Sequence, residues 1–313
     1  MSNDAKQALA INGGGKVRTT PWPTRHLFGE EEKAAADKLF DQAIQSGGVF
    51  AYNGAEEEAY CKEFAEYLGG GYCDAVNSGT SAVYVALAAL GLEPFTEVIV
   101  PPVTDPGGVM PVPLLNLVPV PADCAPGTYN MGPEQIEARI TERTSAILVA
   151  HITGQPVDMD GVMALAKKHN LKVVEDCAQA HGATYKGQLV GTFGDTAAFS
   201  TMSGKHHATG GQGGVVFTKN EDYYWAARRA SDRGKPFNIT GDGTYVVAAH
   251  NLNLNDLSAA IGRVQLKKLP SIVEGCQCAG FALAEKTKHL EAVEMVLGVP
   301  ESKSAFWFAL FRL

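Results

Sequence analysis

The chain has 313 residues, of which 45% are hydrophobic and 19% are charged. A chain of this size and composition can bury a large core, and it predicts one large domain with part of a second. The formal net charge of −8 argues against nucleic acid as a partner.

The first predicted elements are an extended arm and two helices. The arm covers residues 1–28. Residues 29–48 place three glutamates before apolar residues at helical spacing and end in two glycines, which is the order expected of a helix. Residues 55–71 follow the same pattern, and their apolar face predicts a second helix that packs inward.

Short apolar runs then alternate with helical stretches as far as residue 200. Strands are predicted at residues 74–76, 97–100, 117–120, 146–150, 171–174 and 196–200. Helices are predicted to start at Ser81, Pro133 and Asp160. This alternation predicts an α/β fold in which a mostly parallel sheet is covered by helices on both faces. Residues 29–252 are expected to form this large domain.

The remaining segments predict a long loop and two helices. Residues 229–251 contain glycines and a proline typical of a long functional loop. Helical spacing over 255–293 is interrupted at Pro270, which predicts one helix, a break, and a second long helix. The sequence ends in a segment that resembles the start of a strand. We therefore expect residues 253–313 to begin a smaller, incomplete C-terminal α+β domain, and the chain to be a fragment or an incomplete gene model.

Targeting signals and metal motifs are weak in this sequence. The N-terminal 16 residues have no apolar signal-peptide core, and no run reaches membrane-spanning length without charges or prolines. These features predict a cytoplasmic protein with no membrane partner. The six cysteines lack the spacing of a metal site and are expected to be reduced thiols. Cys276 and Cys278 alone are a weak metal signal, so we expect no metal.

An acid and a lysine follow two of the predicted strands. Asp176 comes after the run 171–174, and Lys205 follows the strand 196–200. Open α/β sheets bind ligands at the carboxyl ends of their strands. A carboxylate can hold a pyridine nitrogen protonated and a lysine can carry a cofactor as a Schiff base, so the pair suits pyridoxal phosphate. Taken singly, such an acid is often a helix cap or a metal ligand, and such a lysine is usually solvated.

A third segment predicts an anion site. Residues 77–81, Asn-Ser-Gly-Thr-Ser, join a predicted strand to a predicted helix. The N-terminus of a helix offers backbone N–H groups and a positive dipole end to an anion. Ser78 or Thr80 alone would more commonly be an N-cap.

Ordered segments along most of the chain closely resemble sugar aminotransferases of the DegT/StrS type. These are pyridoxal phosphate enzymes with the aspartate aminotransferase-like fold, fold type I. The matching segments are residues 11–23, 75–92 (AVNSGTSAVYVALAALGL), 97–105 (EVIVPPVTD), 144–183, 173–218 and 250–270 (HNLNLNDLSAAIGRVQLKKLP).

The resemblance implies a role for each matching residue. Lys205 would form the Schiff base with pyridoxal 5'-phosphate, Asp176 would partner the pyridinium nitrogen, and Gln179 would lie beside the ring face or the phenolic oxygen. The phosphate ligands would be Ser78, Gly79, Thr80 and Ser200. Asn251 matches an asparagine that reaches into the neighbouring subunit's site and touches the phosphate there, which implies a homodimer with shared active sites.

The chain departs from the family pattern at two positions. Asn253 stands where the family often has an arginine. Asp105 stands where an aromatic residue commonly stacks on the cofactor ring; its carboxylate would recognise a polar substrate group, or its loop would turn away. His181, five residues after Asp176, is a candidate to orient that carboxylate, although a lone histidine is more often structural.

The resemblance implies transfer of an amino group from glutamate or glutamine to a keto sugar or keto cyclitol, often nucleotide-linked. Lys205 would act as the base and pyridoxamine phosphate would carry the amino group. One alternative is a pyridoxamine phosphate-dependent sugar dehydratase, since some relatives have histidine in place of the lysine and His206 and His207 follow it here. The spacing of Ser200 to position 205 favours the lysine register. Another alternative, a non-catalytic binding or regulatory protein, is disfavoured by retention of the motif residues.

Overall fold

The structure, a computed structural model, describes residues 9–241 and 243–313. The α-helices of this part are α1 (Glu30–Ser46), α2 (Ala55–Tyr67), α3 (Gly79–Ala88), α4 (Pro111–Leu114), α5 (Pro133–Glu137), α6 (Met159–His169), α7 (Glu221–Ser231) and α8 (Asp256–Thr287). Its strands are β1 (Tyr72–Val76), β2 (Glu97–Val100), β3 (Val118–Pro121), β4 (Thr144–Ala150), β5 (Lys172–Asp176), β6 (Thr184–Tyr185), β7 (Gln188–Leu189), β8 (Thr196–Ser200), β9 (Gly214–Thr218), β10 (Glu294–Met295), β11 (Ser302–Lys303) and β12 (Phe311–Arg312). Three short 3-10 helices lie at Ala10–Asn12, Pro106–Gly108 and Ile152–Gly154.

The central sheet contains seven strands in the order β1-β9-β8-β5-β4-β2-β3. Strand β9 runs antiparallel to both of its neighbours, and the other pairings are parallel. The predicted mostly parallel α/β sheet is therefore confirmed. The parallel strands β2, β4, β5 and β8 end at the same edge of the sheet, so side chains that follow them meet there.

Helices cover both faces of this sheet. Successive strand residues point to opposite faces, and Phe199 packs in a cluster with α2 and α8, whereas the adjacent Ala198 packs in a cluster with α3 and α7. Strands β8 and β9 are buried along their whole length. Two buried faces explain why the strand sequences are continuous apolar runs and do not alternate.

The predicted break at Pro270 is wrong, because α8 runs unbroken from Asp256 to Thr287 with the proline inside it. A proline inside a helix loses one backbone hydrogen bond and costs about 3 kcal/mol relative to alanine. Pro270 is exposed, whereas its neighbours Leu269 and Val273 are buried in the core against α2 and the sheet. Burial of the flanking residues therefore offsets the local cost, and the helix continues.

The other predicted strands and helices are present with altered bounds, whereas α7 and the antiparallel strand β9 were not predicted. Strand β5 extends to Asp176, so the acid is the last strand residue and does not follow the strand. The long loop begins only after α7 ends at Ser231. The C-terminal strands β10 and β12 pair with each other, and β11 pairs with the hairpin strand β6. The domain boundary at residue 253 stays a prediction. None of the described helices combines the length and apolarity needed to cross a membrane.

Candidate active site

A cavity of 240 Å³ opens at the carboxyl ends of β4, β5 and β8. We call it the strand-end cavity. Eight of the ten predicted site residues line it: Ser78, Gly79, Thr80, Asp105, Asp176, Gln179, Ser200 and Lys205. A larger cavity of 630 Å³ lies between α2, β1 and α7, but its lining contains none of the ten.

Asp176 presents a buried carboxylate to the strand-end cavity. It is 7% exposed, and its Oδ1 accepts the N–H of Ala178 at 2.9 Å. Burial raises the pKa of this carboxyl above its ordinary value, while the Ala178 N–H and the positive charge of Lys205 act in the opposite direction. The carboxylate is therefore short of positive partners, and a cationic group in the cavity would stabilise it.

Lys205 brings an amine to the same cavity from the loop after β8. The side chain is 6% exposed, and burial lowers its pKa below the ordinary lysine value, against the attraction of Asp176 and Asp105. Within the described residues, no salt bridge joins Lys205 to Asp176. The amine and the carboxylate therefore remain available to a group bound between them.

The start of α3 forms one end of the cavity. Ser78 is the N-cap, and its hydroxyl accepts the N–H of Ser81 at 3.1 Å. Gly79 and Thr80 therefore present the N–H groups that a helix start leaves without intrahelical partners. Ser200 closes this end, since a Cβ at position 79 would lie 2.5 Å from the Cβ of Ser200. The Ser200 hydroxyl therefore lies beside the helix terminus, where an anion can bind.

The loop that carries Asp105 packs along the cavity and does not turn away from it. Asp105 is exposed, and its Oδ1 accepts the N–H of Gly107 at 2.9 Å, which caps the short helix Pro106–Gly108. A Cβ at Gly108 would lie 2.8 Å from Oδ2 of Asp176, and one at Gly107 would lie 2.4 Å from Oγ1 of Thr80. Glycine at both positions lets the loop approach the two motif residues closely.

His181 and Asn251 are not part of the cavity lining. The buried ring of His181 bonds through Nε2 to the carbonyl oxygen of Ser200 at 2.8 Å, so it orients β8, as the structural alternative for a lone histidine implies. Burial lowers the pKa of His181 well below its ordinary value, so the ring is neutral. Asn251 is exposed, and its Oδ1 accepts Nδ2 of Asn253 at 2.7 Å. Its role in a neighbouring subunit stays a prediction.

His151 lines the cavity, although it is not among the residues predicted from the sequence. Its Nδ1 accepts the N–H of Val157 at 3.1 Å, which leaves the ring proton on Nε2. That N–H donates to Oε2 of the fully buried Glu175 at 3.1 Å. Glu175 also accepts three backbone N–H groups, from Gly191, Phe193 and Gly194. These hydrogen bonds fix the floor of the cavity, and they give Glu175 a structural role.

Two further residues, neither of them predicted from the sequence, contact the loop after β8 that carries Lys205, which we call the lysine loop. Arg25 of the N-terminal arm donates to the carbonyl oxygens of Gly204 and Lys205 at 2.7 and 3.1 Å. Trp307 lies over the amine of Lys205, with its ring centroid 3.7 Å from Nζ. Both contacts join residues far apart in sequence, and no local pattern signals them.

Several known proteins resemble this chain in sequence. A family model described as the DegT/DnrJ/EryC1/StrS aminotransferase family matches residues 30–312. The L-glutamine:2-deoxy-scyllo-inosose aminotransferase of Streptomyces lividus is 37% identical over 84% of this chain and 64% of its own length. The GDP-perosamine synthase of Caulobacter vibrioides is 36% identical over 78% of this chain and 60% of its own.

A solved structure has the same fold. The aminotransferase from Psychrobacter cryohalolentis superposes with a TM-score of 0.81 at 33% identity, over 92% of this chain and 75% of that one. The predicted fold class is therefore confirmed. The chain spans less than two thirds of the length of each of these two curated relatives.

Proposed function

This chain belongs to the DegT/DnrJ/EryC1/StrS aminotransferase family, and from this premise we propose that it is a pyridoxal phosphate-dependent aminotransferase. The donor is glutamine or glutamate, and the acceptor is a keto sugar or keto cyclitol. The names of the two relatives, one acting on a cyclitol and one making a nucleotide-linked amino sugar, support this range of acceptors.

The observation that carries the proposal is the pairing of a buried amine and a buried carboxylate in one cavity. Lys205 and Asp176 both line it, and no salt bridge among the described residues neutralises them there. Burying two opposite charges without closing an ion pair is costly. A bound group between Lys205 and Asp176 would explain this arrangement. Such a group would bond to the amine of Lys205 and would present a protonated atom to the carboxylate of Asp176.

Pyridoxal phosphate has the chemistry that these residues fit. Its phosphate suits the start of α3, where the N–H groups of Gly79 and Thr80 and the hydroxyl of Ser200 converge. Its ring nitrogen, when protonated, supplies the cation that the buried Asp176 lacks. When bound, the cofactor supplies an electron-withdrawing ring that makes the α-hydrogen of a linked amino acid acidic.

The chain's own groups then divide the work of proton transfer. Asp176 would keep the ring nitrogen protonated. Lys205 would hold the cofactor through Nζ, and as a free amine Nζ would accept the α-proton of the donor amino acid and donate it again. Burial lowers the pKa of Lys205, which increases the fraction of neutral amine able to accept a proton near neutral pH.

The buried histidines next to the lysine favour transamination over dehydration. His206 bonds through Nε2 to the carbonyl oxygen of Ala305 at 3.0 Å, and His207 bonds through Nε2 to Oη of Tyr60 at 2.6 Å. As far as the described residues define it, the cavity lining includes Lys205 but neither histidine. A dehydratase that used histidine as its base would need one of these rings to leave its buried partner.

We further propose that the active unit is a homodimer in which Asn251 serves the neighbouring site. Large apolar side chains are exposed in many segments of the surface, and three of these segments are proposed as parts of the dimer interface. The three segments contain Phe40 and Ile44; Val103, Met110 and Leu114; and Ile239, Tyr245, Val246 and Val247. Mixing Lys205→Ala with Asn251→Ala protein tests the shared site, because a mixed dimer has one site with both residues intact. Partial recovery of activity supports the proposal, and no recovery in verified mixed dimers contradicts it.

The function is tested by trapping the cofactor and then assaying acceptors. Protein loaded with pyridoxal phosphate and reduced with borohydride is expected to carry the label on the peptide containing Lys205, and a Lys33→Arg control to label equally. Glutamine and glutamate are then assayed with keto cyclitols and nucleotide-linked keto sugars. Label on other lysines only, or loss of water from the sugar without amine transfer, would contradict the proposal.

A further inference from the structure

We infer that Trp307 is a positioning residue for Lys205, in that its indole face fixes where the amine lies and favours the protonated form. The inference deepens the proposed function and rests on it, since the amine matters there as a base. Nζ of Lys205 lies 3.7 Å from the ring centroid of Trp307. An ammonium at this distance over an aromatic face is attracted by the ring, most strongly by tryptophan.

The indole is held in place by hydrogen bonds to two active-site loops. Its Nε1–H donates to the carbonyl oxygen of Gly204, next to the lysine, at 3.0 Å. The backbone N–H of Trp307 donates to the carbonyl oxygen of Thr153 at 2.9 Å. The N–H of Thr153 donates in turn to Oε1 of Gln179 at 2.7 Å. Trp307 therefore joins the lysine loop to the loop that holds Gln179.

The residues just before Trp307 are anchored equally well. Ala305 donates its N–H to the carbonyl oxygen of Gly154 at 2.9 Å, and its own carbonyl oxygen accepts Nε2–H of His206 at 3.0 Å. Phe306 packs against α8, where a Cβ at Gly280 would lie 2.5 Å from the Phe306 ring. The tryptophan is thus presented to the lysine by a buried segment, and its contact is not that of a free surface side chain.

The charged groups around Lys205 do not alone determine the pKa of its amine, and the indole ring of Trp307 also contributes. Burial lowers the pKa of the amine, and the carboxylates of Asp176 and Asp105 raise it. His181 and His206 are neutral at pH 7, because burial lowers the pKa of each, that of His206 to about 4. Arg25 contacts only backbone oxygens of this loop. The indole face opposes the effect of burial without adding a charge that would have to be neutralised.

The test measures the lysine directly in cofactor-free protein. The rate at which an acetylating reagent modifies Lys205, followed by peptide mass spectrometry across pH, gives the apparent pKa of its amine. Trp307→Leu is expected to lower that pKa by about one unit. Trp307→Phe is expected to lower it less, since a weaker aromatic face remains. Trp225→Leu, which removes a tryptophan on α7, serves as the matched control and is expected to leave it unchanged.

The inference is overturned if Trp307→Leu retains the wild-type melting temperature and an unchanged or higher pKa of Lys205. If the leucine variant does not fold, Trp307→Phe and Trp307→Tyr decide, and a wild-type pKa in both overturns it. The measurement needs neither cofactor nor turnover. A protein that shows the shift but transfers no amino group would contradict the proposed function while keeping the positioning role.

Discussion

Gly79 and Ser200 are in such close contact that a methyl group added at position 79 would lie 2.5 Å from Cβ and 2.7 Å from Oγ of Ser200. The first turn of α3 and the end of β8 therefore leave no space for a side chain between them. This contact brings the Ser200 hydroxyl to the helix terminus, where the phosphate of the cofactor is proposed to bind.

Gly79→Ala should weaken pyridoxal phosphate binding at least tenfold, roughly the effect of losing one charge-assisted hydrogen bond. The added methyl has to displace Ser200 or the first turn of α3. Gly275→Ala is the matched control, because an added Cβ there meets open space in α8. Titration of each variant with the cofactor, followed by absorbance, checks the prediction. Equal affinity of the two variants would show that the Gly79–Ser200 contact does not shape the phosphate site.

Asp176→Asn should slow the glutamine half-reaction by about 10- to 100-fold, since one hydrogen bond between charged groups is worth about 1.5–3 kcal/mol. The same change should not destabilise the cofactor-free protein, because burial raises the pKa of the carboxyl and the folded state gains little from its charge. Single-turnover kinetics and thermal melting measure the two effects. Asp160→Asn, exposed on α6, is the control. A large loss of stability with an unchanged rate would make Asp176 a structural residue.

We expect the contribution of Glu57 to the free energy of unfolding to fall as the pH rises. Its carboxyl is 1% exposed, and burial raises its pKa to about 7 from the ordinary 4.5. The folded state therefore binds more protons than the unfolded state between these values. The contribution is present below pH 4.5 and is lost as the pH rises through 7, and it is on the order of 3 kcal/mol.

Urea unfolding of Glu57→Gln at pH 5 and pH 8 tests this dependence. The variant should lose less stability than the wild type between the two pH values. Glu58→Gln changes the exposed neighbouring glutamate and should behave like the wild type. Groups such as His207, whose pKa burial lowers to about 3, act mainly below pH 6.5 and are common to all three proteins. Parallel pH profiles for Glu57→Gln and the wild type would refute the assignment.

Pro270→Ala should stabilise the protein by about 1–3 kcal/mol. The proline is exposed in the interior of α8, so its removal restores a backbone hydrogen bond without disturbing the core. The greater freedom of alanine in the unfolded chain reduces the gain. The melting temperature is the readout, and a decrease would mean that the proline stabilises a bend on which the packing of α8 depends.

Site residues could be predicted from the sequence where a local sequence pattern determines their position. Asp176 and Lys205 follow apolar runs that form neighbouring parallel strands, so the edge at which they meet could be predicted. The Asn-Ser-Gly-Thr-Ser turn predicted a helix start for the same reason. The orientation of His181 could not be predicted, because its ring reaches the backbone of β8 and not the nearby Asp176.

The contacts of Arg25 and Trp307 were also outside the reach of the sequence. They join segments about 180 and 100 residues apart and depend on how the arm and the C-terminal segment pack. Pro270 was misread because a local rule ignores the burial of Leu269 and Val273 on either side. Asp105 was predicted only in part. The sequence placed it at the position of the family's stacking aromatic residue, but it did not show whether its loop follows the cavity or turns away.

Lys205 is proposed to serve as the base that moves the α-proton when an amino group leaves the donor amino acid. This proposal is tested most directly by adding glutamine to the cofactor-loaded protein without any acceptor and measuring the 2-oxo acid released. The wild type is expected to release a stoichiometric amount in one turnover, and Lys205→Ala to release none on the same time scale. Equal release by the two proteins, or none from a fully loaded wild type, would contradict the account.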